Sequence, residues 1–399
     1  MVPSLVKPIS LLFIALFNSI LGLSVLFPIL APLGRELGFT ELQVGMFSTA
    51  YALMQFLISP YWGRKSERIG RKPVMLTGIL GFAITFFLFA VAAELGMRGV
   101  LPRLTVFALM LVARLLGGTF SSATLPTAQA YVADVTGRAD RTSGMAVIGA
   151  AFGLGVIFGP GIGAALSHVS LLAPVYFSSA VALLNALFVW WKLPEPKSHV
   201  EAREPTPLSL RDARVWPLLA VGLVATLASV AMEQTIAFYF QDRLHLDAAH
   251  TPRPVGEALV AYGLVAVFVQ GYLIRRFKWP PLVLLKSGIP IALAGFVAFV
   301  FAKGFTGLTI ALVLQGLGQG LAMPGVTAAL SLAVGDDEQG AVAGLNSSSQ
   351  AFGRMLGPLV GTGLYELHPE YPYALSAALL AMVLVFLFAS RRVREAVRS

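Results

Sequence analysis

Cysteine is absent from the 399-residue chain, and charged residues are scarce. Without cysteine the chain has no disulfide, no thiol nucleophile and no thiolate metal site. Asp, Glu, Lys and Arg together make up 12% of the residues, against roughly a quarter in a soluble domain, which excludes a soluble enzyme. The five histidines lie at the ends of apolar runs or between them: His168, His199, His245, His250 and His368. We therefore expect no metal centre and no cofactor.

Long apolar runs are abundant, because 57% of the residues are hydrophobic. A helix needs about 20 apolar residues to cross a bilayer, and lipid cannot satisfy the backbone of an open strand. We therefore predict an all-α membrane protein with the lipid bilayer as a partner, and the net charge of +9 does not indicate nucleic acid. The twelve predicted spans are 9–32, 42–62, 73–94, 104–132, 143–166, 171–191, 215–240, 256–274, 281–302, 307–334, 340–365 and 371–390.

Lysine and arginine are distributed unevenly between the connections. If both termini are cytoplasmic, 20 of the 29 basic residues lie inside and six lie outside. Cytoplasmic loops carry the excess of basic residues in membrane proteins, so we predict both termini inside. The remaining three basic residues fall within spans: Arg114, Lys286 and Arg354.

The two halves of the chain resemble each other at an offset near 200 residues. The letters AFG and GP at positions 151–160 recur at 351–358. Because six helices separate equivalent positions, each repeat has the same topology, as in parallel-repeat transporters. We predict a six-helix half at 1–192, a cytoplasmic linker at 193–214 and a second six-helix half at 215–399.

A basic connection, residues 63–73, follows the second predicted span. It reads GRKSERIGRKP and contains five cations and one anion. The glycines near its ends, Gly63 and Gly70, permit a tight turn between antiparallel helices. The charges can form an ion-pair network on the cytoplasmic side. On composition alone, the alternative is a set of solvated charges that only sets the topology.

The fifth predicted helix has a glycine face, which allows another helix to approach closely. Pro160 is expected to bend this helix. Glycine is common in membrane helices, so packing alone could explain the face. Its members are Gly149, Gly153, Gly155, Gly159, Gly161 and Gly163.

Ionisable groups inside a span are costly, so each one indicates a functional site. Glu233 is the only carboxylate well inside a predicted span. A carboxyl group buried away from water binds a proton more readily, so Glu233 could couple transport to protons or pair with a cationic substrate. The alternative is a structural ion pair. Arg114 stays protonated and could tune a neighbour or bind an anion, and the alternative is an arginine that caps a helix or serves packing.

Polar side chains recur every four residues on two further helices, which places each set on one face. They either join helices by hydrogen bonds or form a polar wall of a central cavity, with Arg354 as a counter-ion to Glu233. The two sets are Gln315 and Gln319 on the tenth helix, and Asn346, Gln350 and Arg354 on the eleventh.

Two of these motifs resemble signatures of the major facilitator superfamily. In the basic connection, Glu67 stands for an Asp of that signature and Lys65 for an apolar residue. The signature G-x-L-a-D-R-x-G-R-K-x-x-L is matched at Gly63, Arg68, Gly70, Arg71, Lys72 and Met75-Leu76. The signature G-x-x-x-G-P-x-x-G, which marks drug/proton antiporters, is matched at Gly155, Gly159, Pro160 and Gly163.

The resemblance covers the full chain and implies the major facilitator fold, in the twelve-helix branch that includes tetracycline and multidrug exporters. It implies that Glu67 braces the start of the eleventh helix and that the arginines of the basic connection pair with Asp134. Arg114 lies in an R-x-x-x-G motif to which a proton-coupling role is assigned. The first helix carries no acid where tetracycline exporters have an Asp, which weakens a tetracycline-specific assignment.

The resemblance also implies a substrate cavity between the first, fourth, seventh and tenth helices. We expect a monomeric secondary transporter in a bacterial cytoplasmic membrane that exchanges protons for hydrophobic or amphiphilic small molecules. The alternatives are a carrier of a sugar, metabolite or lipid-linked anion, and a membrane enzyme or channel. The sequence lacks the clusters of acids and the nucleotide-binding loop that an enzyme or pump would need. Expected cavity residues are Asn18, Arg114, Glu233, Gln234, Gln315, Gln319, Asn346, Gln350 and Arg354.

Overall fold

The computed structural model describes residues 3–136, 141–196, 208–277, 279–335 and 338–389. Within these ranges the chain forms helices and no strands. The helices are α1 (Pro3–Ser24), α2 (Leu30–Glu36), α3 (Glu41–Ile69), α4 (Arg71–Met97), α5 (Arg103–Ser121), α6 (Thr124–Val135), α7 (Arg141–Leu166), α8 (Ala173–Lys192), α9 (Trp216–Arg243), α10 (Pro252–Phe268), α11 (Ile274–Phe277), α12 (Pro281–Phe301), α13 (Gly304–Leu332), α14 (Gln339–Leu367) and α15 (Tyr371–Ala389), with a π-helical turn, Val269–Leu273, joining α10 to α11.

Every predicted span overlaps a helix, but three of the spans are interrupted. The first divides into α1 and α2 around Pro28, which lacks the backbone N–H that a continuous helix requires. The fourth divides into α5 and α6 at residues 122–123. In the eighth, the π-helical turn adds a residue to one turn of an otherwise continuous helix.

Ten helical segments of the described ranges are long and apolar enough to cross a membrane. Two predicted spans do not meet that standard, for different reasons. The part of the first whose side chains are described, Pro8–Ser24, falls among the shorter apolar helices of 10–17 residues. The eleventh, α14, has 29 residues, but its polar face lowers its mean hydropathy. A helix with such a face is shielded from lipid on one side.

The chain forms two compact units. The first unit comprises Met1–Ala202 with Asp247–Gly256, and the second comprises Arg203–Leu246 with Glu257–Ser399. The boundary lies inside the predicted linker. The short segment Asp247–Gly256, which we predicted in the second half, groups with the first unit. That the two units act as transporting halves stays a prediction.

In the first unit, the glycine face of α7 packs against α1. The Ser24 hydroxyl donates a hydrogen bond to the Gly155 carbonyl at 2.7 Å. A methyl group added at Gly159 would overlap the Ser24 hydroxyl, and one added at Gly163 would overlap the Val25 carbonyl. α7 remains helical through Pro160. The glycines therefore set the distance between the two helices.

The second unit contains the same arrangement, as the repeat predicts. Gly353, Gly357 and Gly361 of α14 lie against successive turns of α9. A methyl group added at Gly357 would come within 2.8 Å of the Val230 side chain. α1 with α7 and α9 with α14 are thus equivalent helix pairs.

The turn in the basic connection is tighter than expected. α3 continues through Gly63 to Ile69, and the chain reverses at Gly70 alone, where φ is 100°. The expectation that Gly63 serves a turn is wrong, because residues 63–69 contain no residue that stops a helix. Only Gly70 adopts a conformation that disfavours other residues.

Candidate functional site

The basic connection contains a buried ion pair. Arg71, the first residue of α4, is 6% exposed, and its Nε lies 2.7 Å from Asp134 Oδ2 at the end of α6. Its Nη1 also donates to the Ser66 hydroxyl at 2.7 Å. The structure thus brings one arginine of the signature onto Asp134, and the part that this pair plays in transport stays a prediction.

Glu195, just after α8, caps the start of α4, a role that the sequence analysis missed. Its carboxylate accepts hydrogen bonds from the backbone N–H of Arg71 at 2.5 Å and of Lys72 at 2.9 Å. The Tyr131 hydroxyl fixes the same segment by donating to the Pro194 carbonyl at 2.8 Å. One feature of the sequence could have indicated this contact. Gly70 precedes α4 and has no side chain that could cap the helix, so another part of the chain has to supply the cap.

Glu67 and Arg68 occupy the last turn of α3 and are exposed. Neither side chain forms an ion pair or a hydrogen bond with another described residue of the first unit. Lys72 is half-buried beside the Glu195 carboxylate. The predicted brace between Glu67 and the eleventh helix stays a prediction.

Arg114 is buried among aromatic rings rather than beside a carboxylate. It is 4% exposed, and its guanidinium carbon lies 4.5 Å from the Tyr51 ring centroid and within 6 Å of those of Phe86 and Phe89. Its Nε donates to the Phe47 carbonyl at 3.3 Å. Its Nη1 has no partner within the described ranges. Cation–π contacts therefore stabilise the charge, and one donor remains free.

The two glutamines of α13 join helices within the second unit. Gln315, the repeat equivalent of Arg114, is fully buried and donates to the Ala292 carbonyl of α12 at 3.2 Å. Among the described residues, its Oε1 has no partner. Gln319 donates to the Ala225 carbonyl of α9 at 3.1 Å. Both amides bind backbone carbonyls, and their predicted contact with substrate stays a prediction.

The second unit also presents three side chains that we call the Glu233 face: Glu233 of α9, Tyr262 of α10 and Arg354 of α14. Glu233 interacts electrostatically with both of the others. Glu233 and Tyr262 are half-buried and Arg354 is exposed. Within the described ranges, none of the three side chains forms a hydrogen bond or a direct ion pair. Tyr262 was missed because α10 otherwise reads as an apolar span.

Polar residues next to the Glu233 face form a short chain on α14. The Gln350 amide donates to Asn346 Oδ1 at 3.2 Å, and Asn346 in turn donates to the Thr327 hydroxyl of α13 at 3.5 Å. Gln234, beside Glu233, is half-buried. In the first unit, Asn18 is a half-buried residue of α1.

A family model and curated relatives match nearly the whole chain. The model described as Major Facilitator Superfamily matches residues 12–312 and 258–399. Quinolone resistance protein NorA of Staphylococcus aureus (strain MSSA476) is 25% identical over 398 residues, which cover 97% of this chain and 98% of that protein. Multidrug resistance protein 1 of Bacillus subtilis (strain 168) is 26% identical over 381 residues, or 94% of each chain.

Solved structures share the fold at lower sequence identity. A bacterial homolog of the human lysosomal transporter Spinster superposes with a TM-score of 0.74 at 15% identity, over 98% of this chain and 96% of that one. The human organic anion transporter MFSD10 superposes with a TM-score of 0.69 at 22% identity, over 97% and 100%. With its apolar helices and the family match over nearly its whole length, the chain belongs to the major facilitator superfamily of membrane transporters.

Proposed function

We propose that this chain is a secondary transporter that exports hydrophobic or amphiphilic compounds in exchange for protons, by alternating access. Two relatives that match almost the entire chain are named for resistance to quinolones and to multiple drugs, which supports export. The resemblance of α7 to the antiporter signature also supports export, and the glycines of that signature form the contact with α1. Both termini are proposed to lie in the cytoplasm of a bacterial cell.

Proton coupling is proposed because Glu233 carries a carboxylate inside a membrane helix without a direct ion pair in the described part of the chain. A carboxylate in a membrane helix costs several kcal/mol unless it is paired or hydrated. Glu233 is half-buried and forms no direct ion pair with the described residues, so no direct contact neutralises its charge. We infer that this carboxylate binds and releases a proton during each cycle.

Exchange follows if the proton and a positively charged cargo compete for Glu233. The ionised carboxylate attracts a cation, and protonation removes that attraction. If the carrier can change conformation only with a proton or a cargo molecule bound at Glu233, each cargo molecule that leaves the cell is exchanged for a proton that enters. The proton gradient then drives the cargo outward. We assign Arg114 a supporting part in coupling, because its free Nη1 can donate to an acceptor that arrives during the cycle.

Transport into proteoliposomes with an imposed pH gradient tests the proposal. Glu233→Gln should abolish uphill transport of every cargo while the protein still inserts and folds. Glu36→Gln, which removes an exposed carboxylate at the end of α2, is the matched control and should keep wild-type uptake. Full gradient-driven transport by the Glu233 variant would remove this residue from the mechanism.

The compounds tested in this transport assay should include amphiphilic aromatic compounds, a sugar and an organic anion without apolar groups. Uptake confined to amphiphilic aromatic compounds supports the exporter. Uptake of the sugar or of the simple anion alone would favour a carrier of another cargo, for which the arginines of the membrane spans would supply the anion contact.

A further inference from the structure

Glu233 and Arg354 lie on either side of one close helix contact. Gly357 of α14 touches Val230 of α9. Arg354 precedes that glycine by one turn, and Glu233 follows that valine by one turn. Gly353 touches α9 at Thr226 and Leu227, which shows that the two helices run in the same direction. The backbones at Arg354 and Glu233 are therefore offset by about 9 Å along the helix axes, since each residue rises about 1.5 Å.

The two charges attract each other without forming a direct pair. They interact electrostatically, yet no hydrogen bond or ion pair joins them in the described part of the second unit. Both side chains retain exposed surface. The face thus presents a carboxylate and a guanidinium that do not touch each other.

An aromatic side chain lies near the same carboxylate. Tyr262 of α10 interacts electrostatically with Glu233. Its ring also lies 3.2 Å from the position that a methyl group at Gly316 would occupy, so α13 supports the tyrosine from behind. The third side chain of the Glu233 face can therefore contact an apolar or aromatic part of a ligand.

The other two cations of the spans lie against aromatic rings. Arg114 is enclosed by aromatic rings and is 4% exposed. The Lys286 ammonium lies 5.1 Å from the ring centroid of Phe388 on α15. Arg354 is thus the intramembrane cation that has exposed surface and interacts with a carboxylate, which makes it the best placed of the three to bind the anionic end of a ligand that also contacts Glu233.

We propose that the Glu233 face binds a zwitterionic aromatic substrate, with its ammonium group at Glu233, its carboxylate at Arg354 and its ring against Tyr262. The proposal rests on the proposed export function and names its substrate class. Two separated charges of opposite sign match a ligand that carries both, because each end then replaces lost hydration with a charge-assisted hydrogen bond. A singly charged ligand leaves one protein charge uncompensated.

Binding of Nε-dansyl-lysine to the purified protein, without any gradient, tests the assignment. This fluorescent compound carries an ammonium and a carboxylate. Its methyl ester is a cation, its Nα-acetyl derivative is an anion, and the doubly blocked compound is neutral. We expect the zwitterion to bind at least about tenfold more tightly than any of the other three. Equal affinities for the four compounds would overturn the proposal.

Variants assign each charge to its end of the ligand. Arg354→Gln should remove the preference for the zwitterion over its methyl ester, while Arg354→Lys should keep most of it. Glu233→Gln should remove the preference over the acetyl derivative. Lys286→Gln is the matched control, because it removes the other intramembrane cation of the second unit, and it should retain both preferences. Unchanged preferences in the Arg354 and Glu233 variants would refute the assignment.

The two proposals can fail separately. Zwitterion preference without gradient-driven transport would remove proton coupling and leave the ligand class in place. Gradient-driven export with equal binding of the four compounds would do the opposite. Size-exclusion profiles and thermal unfolding confirm that each variant is folded before its binding is interpreted.

Discussion

At the scale of single residues, the Arg71–Asp134 pair differs from the other ion pairs in its burial. The two side chains are 8% and 4% exposed, whereas those of Asp247 and His250 are 64% and 77% exposed. Removing one partner of a buried pair leaves an uncompensated charge and costs about 3–5 kcal/mol, while an exposed pair contributes about 0–1 kcal/mol. The same neutral substitution should therefore have different effects at the two places.

We predict that Asp134→Asn lowers the thermal unfolding temperature of the detergent-solubilised protein strongly. The Arg71 guanidinium would lose the carboxylate that neutralises it, and the amide that replaces it carries no charge. Asp247→Asn is the matched control and should change the unfolding temperature little. Equal shifts in the two variants would show that the burial of the Arg71 pair has no energetic consequence.

Arg214 connects the end of the linker to the start of α14, on the surface of the second unit. Its guanidinium binds both Asp212 and Glu338, each at 2.8 Å. Hydrogen bonds from Arg214 lower the pKa of the Asp212 and Glu338 carboxyl groups below their ordinary values of 3.8 and 4.5. The folded state therefore holds these carboxylates ionised at pH values where the unfolded chain would protonate them.

The sign of the resulting pH dependence is fixed by those lowered pKa values. The stabilisation is complete above the ordinary values and is lost as the pH falls through the lower folded values. We predict that Arg214→Gln reduces the drop in unfolding temperature between pH 5 and pH 3, measured by fluorescence. Arg211→Gln, an exposed arginine of the same segment, should behave like the wild type. A wild-type drop in both variants would contradict the prediction.

The sequence reveals some functional residues and hides others for a physical reason. Glu233 and Arg354 stand out because a charge within an apolar run is costly wherever it lies. Tyr262 does not stand out, since tyrosine is common in membrane helices and its role depends on which side chain it faces. Glu195 belongs to a charged segment, and only the folded chain shows that it reaches the start of α4.

At the scale of helices, glycines determine how closely α7 approaches α1 and how closely α14 approaches α9. We predict that Gly159→Ala and Gly357→Ala each destabilise the protein by about 1–3 kcal/mol, because the added methyl group has no space. Thermal unfolding of the wild type and of both variants in the same detergent measures this loss of stability.

Each of these helices contains its own control glycine. A methyl group at Gly149 of α7 or at Gly344 of α14 would have no atom within 4 Å. Alanine at either position should leave stability unchanged or raise it slightly, because alanine favours helix over glycine. If alanine lowers stability equally at the packed positions, Gly159 and Gly357, and at the open positions, Gly149 and Gly344, helix contact does not explain the need for glycine.

The helices themselves could largely be predicted, but their interruptions could not. Runs of about 20 apolar residues locate spans because the bilayer imposes that length. The break around Pro28 and the continuation of α3 through Gly63 depend on local conformations that hydropathy does not record. The π-helical turn, Val269–Leu273, contains no proline and has no sequence signal that we recognise.

At the scale of the whole molecule, alternating access implies that two conformations differ by a small free energy. The charges of the basic connection are predicted to stabilise the state that is closed to the cytoplasm. We predict that Glu67→Gln slows turnover and shifts the population toward the inward-open state. Glu67 is exposed, so this variant should fold normally.

Distances between spin labels on two introduced cysteines measure that population, and the chain contains no cysteine to interfere. Asp134→Asn should shift the distances in the same direction, and Glu36→Gln should leave them unchanged. If the distance distributions of both the Glu67 and the Asp134 variants match the wild type, the charges of the basic connection only set the topology.

The Glu195 cap gives the transport cycle a built-in reporter. The amide hydrogens of Arg71 and Lys72 are both held by this one carboxylate, because no preceding turn of helix is available to accept them. Their exchange with deuterated solvent therefore proceeds only while the start of the linker is detached from α4. Exchange rates at these two amides, followed with and without cargo, would record how often that detachment occurs in each working state.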